Sequence, residues 1–164
     1  MNPNTVNVLS KKKTEKEGFM SEMTGPRVLL VDDEEKFLEV LSQRLVTRGI
    51  DAETSFSGEE ALMKIKSKAF DAIVLDVMMP GIGGIETLKR IKKENPEMQI
   101  IMLTGRGTVD KAVEAMKEGA IDFLEKPADI NQLTQKIGEA KKKKFLLVMK
   151  NVEERVKGIT RRRP

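Results

Sequence analysis

The sequence predicts an α/β fold in which a five-stranded parallel sheet is covered by helices on both faces. Three observations predict it. Five short strand-like runs recur along the chain, each followed by a stretch of helical period. The third and fourth lack the polar alternation of a sheet with one wet face, so they read as strands buried on both sides. Connections of this length between parallel strands are right-handed crossovers, which place helices on both faces.

Arg27–Val31 is the first strand, ending in Asp32-Asp33. The next helix runs from about Glu35 to Arg48, with Phe37, Val40, Leu41 and Leu45 expected on its buried face. Gly49 closes it as a residue just past the end. The second strand, Ile50–Thr54, leads to Ser57 with Glu60 three positions later, a capping box. The helix it opens reaches about Lys68, with Ala61, Leu62 and Ile65 inward.

Ile73–Leu75 is the third strand, followed by Asp76 and then Pro80-Gly81, a turn signal. A helix from about Ile85 to Lys93 buries Ile85, Leu88 and Ile91, and Asn95-Pro96 stops it. Ile100–Leu103 is the fourth strand, ending at Thr104-Gly105. The next helix, about 109–118, is expected to bury Val109, Ala112, Val113 and Met116. Ile121–Leu124 is the fifth strand, ending at Glu125-Lys126-Pro127. Asp129 caps a last helix that starts near Ile130 and points Leu133 and Ile137 inward.

Charge divides the chain into three regions. Residues 1–25 carry net +1, residues 26–140 net −5 and residues 141–164 net +8. Residues 1–25 are polar and aperiodic and are expected to be a disordered extension. The acidic middle is the folded domain. The last helix is expected to extend into the basic tail as a short amphipathic segment, because Phe145, Met149, Val152, Val156 and Ile159 recur at four-three-four-three spacing. A helix that short is marginal alone, so its seam should order only when covered. The cover could be a second copy of the chain, a partner protein or an anionic surface such as lipid or nucleic acid. Acids and bases both stand between the apolar positions, which favours contact with another chain, a homodimer among them. No output unit such as a helix-turn-helix fits in this tail, so no direct DNA-binding domain is expected within it.

The absence of cysteine and histidine removes thiolate metal sites, imidazole acid-base chemistry and Ser-His triads. No apolar run is long enough for a transmembrane segment, and the start lacks the apolar core of a secretory signal. A cytoplasmic location is expected.

In a parallel sheet the strand ends Asp32-Asp33, Asp76, Thr104 and Lys126 fall on one edge, where α/β folds build their sites. Clustered carboxylates repel, and a hard cation relieves that. With only oxygen ligands on offer, Mg²⁺ suits the set. A metal, an ammonium and a hydroxyl together match the oxygens of a transferring phosphoryl group, with Asp76 as the attacking carboxylate. Taken singly, Asp32-Asp33 or Thr104 could be helix caps, Phe123 plain core, and Glu34-Glu35 acids favoured by a helix dipole.

The segments VLLVDDEE, IVLDVMMPGIGG, IIMLTGRG and AIDFLEKP, in that order, closely resemble the receiver domain of two-component response regulators. The resemblance spans about Arg27 to Ala140. It implies a flavodoxin-like, doubly wound (βα)5 fold with strand order 2-1-3-4-5. It implies that Asp76 accepts a phosphoryl group from a sensor histidine kinase or a phosphotransfer protein. Asp33 would ligate Mg²⁺ directly, with Asp76 and the backbone carbonyl of Met78, and Asp32 would hold the metal's waters. Thr104 and Phe123 resemble the switch hydroxyl and switch aromatic, and Lys126 the phosphate-pairing lysine. Lys126-Pro127 matches the family's cis peptide. The resemblance further implies a switched signal passed to a downstream protein partner. The rival class is an Mg²⁺-dependent phosphohydrolase with an aspartate nucleophile. Enzymes of the haloacid-dehalogenase group carry a second Asp two residues after the first, for proton transfer; here that position is Met78. A flavin-binding reading lacks a Ser/Thr/Gly-rich phosphate loop after the first strand.

Overall fold

The computed structural model describes residues 24–161. The expected disordered extension therefore lies outside the described residues for all but its last two positions. Five strands, β1 (Arg27–Val31), β2 (Asp51–Ser55), β3 (Ala72–Asp76), β4 (Ile100–Thr104) and β5 (Asp122–Glu125), alternate with five helices. These are α1 (Glu35–Val46), α2 (Gly58–Ser67), α3 (Gly83–Glu94), α4 (Val109–Lys117) and α5 (Ile130–Thr160). All strand pairs are parallel, in the order β2-β1-β3-β4-β5. Every residue of β3 and β4 is buried, which accounts for their unbroken apolar runs.

The two faces of the sheet build separate cores, because successive strand residues point to opposite sides. Val28, Leu30, Val74, Ile101 and Leu103 pack with Leu38, Leu41 and Leu45 of α1 and with Leu133, Ile137 and Ala140 of α5. Leu29, Val31, Ile73, Leu75, Ile100 and Met102 pack with α2, α3 and α4 through Ala61, Leu88, Ile91 and Ala115. Phe70 and Met98 close the second core at the edge where the strands begin.

Two helix faces differ from the sequence expectation. In α1 the buried positions are Leu38, Leu41 and Leu45, while Val40 is 53% exposed. Leu38 lies three residues before Leu41 and shares its stripe; Val40 is rotated about 100° from Leu41, out of the contact. In α4 the residues facing the sheet are Ala112 and Ala115, and Val109, Val113 and Met116 point outward. The small alanines let α4 lie close to the sheet, so its larger apolar side chains form the outer surface. The caps follow the local signals. Ser57 Oγ accepts from the Glu60 N–H at 3.1 Å, and a Glu60 carboxylate oxygen accepts from the Phe56 N–H at 2.9 Å. Asp129 accepts from the Gln132 N–H at 2.9 Å.

As the spacing of the tail predicts, α5 continues without a break through Ala140 to Thr160; the departure is that it does so with its seam uncovered. Its seam residues are exposed, yet the segment is helical. The buried first turns supply the costly nucleus, and each later residue only adds to an existing helix.

Gly84 sets how closely α3 approaches β3. Its N–H donates to the Val77 carbonyl at 3.1 Å, and a Cβ there would lie 2.0 Å from the Asp76 carbonyl oxygen. Both contacts are backbone and cannot turn aside. Gly84→Ala is expected to lower the unfolding free energy by about 2–3 kcal/mol. Gly138→Ala in α5, where a Cβ meets nothing within 4 Å, is expected to raise it by up to about 1 kcal/mol. Urea denaturation of the two variants checks the pair; equal effects would mean that the approach of α3 is adjustable.

Candidate functional site

The C-terminal ends of β1, β3, β4 and β5 converge at one edge of the sheet. Asp32 follows β1, and its N–H donates to the Ser55 carbonyl at the end of β2, at 3.1 Å. That bond holds the first carboxylate against the sheet, fully buried. Asp76 ends β3 and is 4% exposed. Asp33 is exposed to solvent. A carboxylate oxygen from each of the three lies within 4.8 Å of the others.

Lys126 reaches this cluster from the end of β5. Its ammonium donates to Asp32 Oδ2 at 2.5 Å and lies 3.5 Å from Asp76 Oδ1 and 3.9 Å from Glu34. The Phe37 ring of α1 sits beneath the same ammonium, 4.5 Å from nitrogen to ring centre. The Lys126 N–H also donates to the Thr104 carbonyl at 2.7 Å, and the Lys126-Pro127 bond is cis. Asp32 is further held by the Glu34 N–H, which donates to its Oδ1 at 3.0 Å. So Asp32 organises the loop that opens α1 without being its cap residue, which is Glu34.

Thr104 is fully buried at the end of β4, and its hydroxyl donates to the Leu124 carbonyl at 3.4 Å. Phe123 on β5 is half-buried and packs against the core shared with α2, α3 and α4. Met78 is exposed, just past Asp76. The structure thus brings Asp32, Asp33, Asp76 and Lys126 together, with Thr104 on the neighbouring strand end. Glu34 and Phe37 belong to the surroundings of Lys126 and were not singled out from the sequence. Their positions, two and five residues after Asp32 at a helix start, are the only signal, and that signal reads equally as helix acid and core aromatic.

The electrostatics are those of excess negative charge. Burial lifts the Asp76 carboxyl to about 6, and the Asp32 carboxylate adds to the rise; Lys126 and the Met78 N–H oppose it. Burial also raises Asp32, against the hydrogen bond from Lys126. For Lys126, burial acts to lower the ammonium's pKa, but the Asp32 bond with the charges of Asp32, Asp76 and Glu34 holds it above its ordinary value. One ammonium does not balance the acids. The donor set is all oxygen, tightly grouped, and open to solvent at Asp33, which fits a hard divalent cation.

A doubly wound parallel sheet with acidic strand ends facing a lysine defines the class of the domain by its fold and site. The chain belongs to the response regulator receiver domain family, whose family model matches residues 28–138. It is 39% identical over 120 residues to the transcriptional regulatory protein ZraR of Klebsiella oxytoca, covering 72% of this chain and 27% of ZraR. It is 35% identical over 111 residues to the transcriptional regulatory protein TcrA of Mycobacterium tuberculosis, covering 68% of this chain and 44% of TcrA. The chain thus aligns with less than half the length of these curated relatives. Among solved structures, a response regulator receiver domain protein from Clostridium thermocellum superposes with a TM-score of 0.72 at 35% identity, covering 74% of this chain and 98% of that one.

Asp76 gives the site a measurable pH signature. Without a divalent cation the folded chain holds the Asp76 proton up to about pH 6, whereas an ordinary carboxyl loses it near 3.8. The fold therefore binds more protons than the unfolded chain between those values, and stability falls as pH rises through them. Asp76→Asn removes this loss. In chelator, the variant should match the parent near pH 3.8 and exceed it by about 2–3 kcal/mol above pH 6. Denaturant titrations across that range check this; equal stability at both ends would show that Asp76 ionises freely.

Proposed function

We propose that this receiver domain accepts a phosphoryl group on Asp76 from a sensor histidine kinase or a phosphotransfer protein, and that the acyl phosphate switches its surface for a downstream protein partner. The observation that carries the reading is the grouping of three carboxylates within 4.8 Å, with the Lys126 ammonium 3.5 Å from Asp76. Asp76 is the nucleophile: one of its carboxylate oxygens bonds to phosphorus as the donor's nitrogen–phosphorus bond breaks. Lys126 meets the charge on the phosphoryl oxygens. Asp32, Asp33, Asp76 and the Met78 backbone carbonyl would hold Mg²⁺, with Asp32 acting through its waters. When bound, the metal supplies charge neutralisation of the carboxylates and phosphoryl oxygens.

Thr104 completes the switch. Its hydroxyl has only a long bond, 3.4 Å, to the Leu124 carbonyl, so little is lost when it turns to a phosphoryl oxygen. The space it leaves beside β5 lets Phe123 move inward, which changes the surface of α4 and β5. Met78 offers no proton-transfer group beside Asp76, which favours a held acyl phosphate over rapid hydrolytic turnover. The domain is proposed to work in the cytoplasm. No helix among the described residues is long and apolar enough to cross a membrane.

Acetyl phosphate with Mg²⁺ should add one phosphoryl group by intact mass, and Asp76→Asn should abolish the addition. Labelling that survives the substitution would point to another acceptor. Asp33→Asn should weaken Mg²⁺ binding about tenfold or more, since one charged oxygen ligand is lost. Calorimetric titration of both forms decides this, and unchanged affinity would remove Asp33 from direct contact with the ion.

A further inference from the structure

The outer half of α5 has two unlike sides. One is fastened to the domain, at the edge opposite the carboxylates. The Lys144 ammonium donates to the Phe70 carbonyl, and the Asn151 amide donates to Glu97 Oε1 at 2.8 Å. Leu147, between them on the same side, is half-buried. The other side carries Phe145, Val148, Met149, Val152, Val156 and Ile159, each between 40% and 64% exposed. At about 100° of rotation per residue these six occupy an arc of about 100°, centred about 120° from the fastened side. The apolar arc therefore looks away from the domain that holds the helix.

Three occupants of the arc can be weighed. A second copy is poorly supported. The seam covers about two heptads, short of the three to four that mark a coiled coil. Its flanking positions in a parallel pair would set Val148 against Glu153 and Arg155 against Thr160, with no opposite charges to fix a register. Two segments of net +8 would also be brought side by side. Nucleic acid would use the cations and leave the apolar arc in water. An anionic lipid surface uses both. Lys142 borders the arc, and Lys143, Lys150 and Lys157 lie on the polar side, together with Glu153, Glu154 and the exposed Leu146. Basic and apolar sides on one helix of low overall hydrophobicity are the pattern of interfacial helices. The alternation of acids and bases along the sequence is thus no argument for a second copy once each is placed around the helix.

We propose that residues 142–160 of α5 lie in the interface of an anionic bilayer, apolar arc inward, with the receiver domain carried on the solvent side. The helix does not cross the membrane; its lysines reach anionic headgroups while Phe145, Val152 and their neighbours enter the acyl boundary.

The test floats the 164-residue chain with vesicles of equal parts phosphatidylglycerol and phosphatidylcholine, and with phosphatidylcholine alone. The chain should float with the anionic vesicles and bind the neutral ones about tenfold or more weakly, and high salt should weaken anionic binding. Val152→Glu with Val156→Glu should abolish flotation. Lys142→Gln, Lys143→Gln, Lys150→Gln and Lys157→Gln together should reduce it about tenfold. Both variants change exposed residues, and circular dichroism and acetyl phosphate labelling should match the parent. Failure to float, or flotation indifferent to the valine changes, would overturn the proposal. So would a salt-resistant dimer by sedimentation that the valine changes convert to monomer, or tighter binding to duplex DNA than to anionic vesicles.

Discussion

Two buried carboxylates, a third open to solvent and one ammonium share a strand edge, and the rest of the structure follows from keeping them there. Asp32 and Asp76 are almost without solvent contact. Buried charge is tolerated only when paired and hydrogen-bonded. Lys126 supplies the pairing, but its position is itself held by the Thr104 carbonyl behind it, the Phe37 ring beneath it and Asp32 in front. Those groups come from the β1–α1 segment and from the end of β4, far from Lys126 in the sequence. The parallel sheet is what brings them to one edge, and its two cores are what make that edge rigid.

With three carboxylates against one ammonium, the arrangement is left short of two positive charges. A fold selected for stability alone could fill these positions with apolar or neutral residues, since a buried ionic group rarely outperforms a well-packed hydrophobic one. Burial chiefly, and the Asp32 carboxylate beside it, raise the Asp76 carboxyl. The same shortfall is what a divalent cation would relieve, so the fit to a hard ion and the destabilisation are one feature.

Much of this was legible in the sequence because strands buried on both faces are written as unbroken apolar runs, and each run here ends in a residue of distinct chemistry. Strand limits, the Ser57 and Asp129 caps and the convergence of Asp32, Asp33, Asp76 and Lys126 all come from local signals. Helix faces were harder. In α4, Val109, Val113 and Met116 form a better apolar stripe than Ala112 and Ala115, yet the alanines face the sheet. Hydrophobic periodicity measures side chains, whereas close packing here depends on their smallness. Phe37 and Glu34 were missed as neighbours of Lys126 because that contact joins residues some ninety positions apart, and nothing local encodes it. The extension of α5 was legible from the tail's spacing, but its order with an uncovered seam was not. A peptide spanning only 141–160 has to start its own helix, whereas the same residues in the chain inherit one.

That inheritance has a thermal consequence. Leu133, Ile137 and Ala140 are sealed in the core, so the first part of α5 can open only when the domain does. The outer turns carry no such obligation, and beyond Asn151 no hydrogen bond among those described ties them to the globule. One helix therefore holds two melting regimes. Its amides should fray from Thr160 inward long before the domain unfolds, so α5 is a rod at its base and a fluctuating filament at its tip.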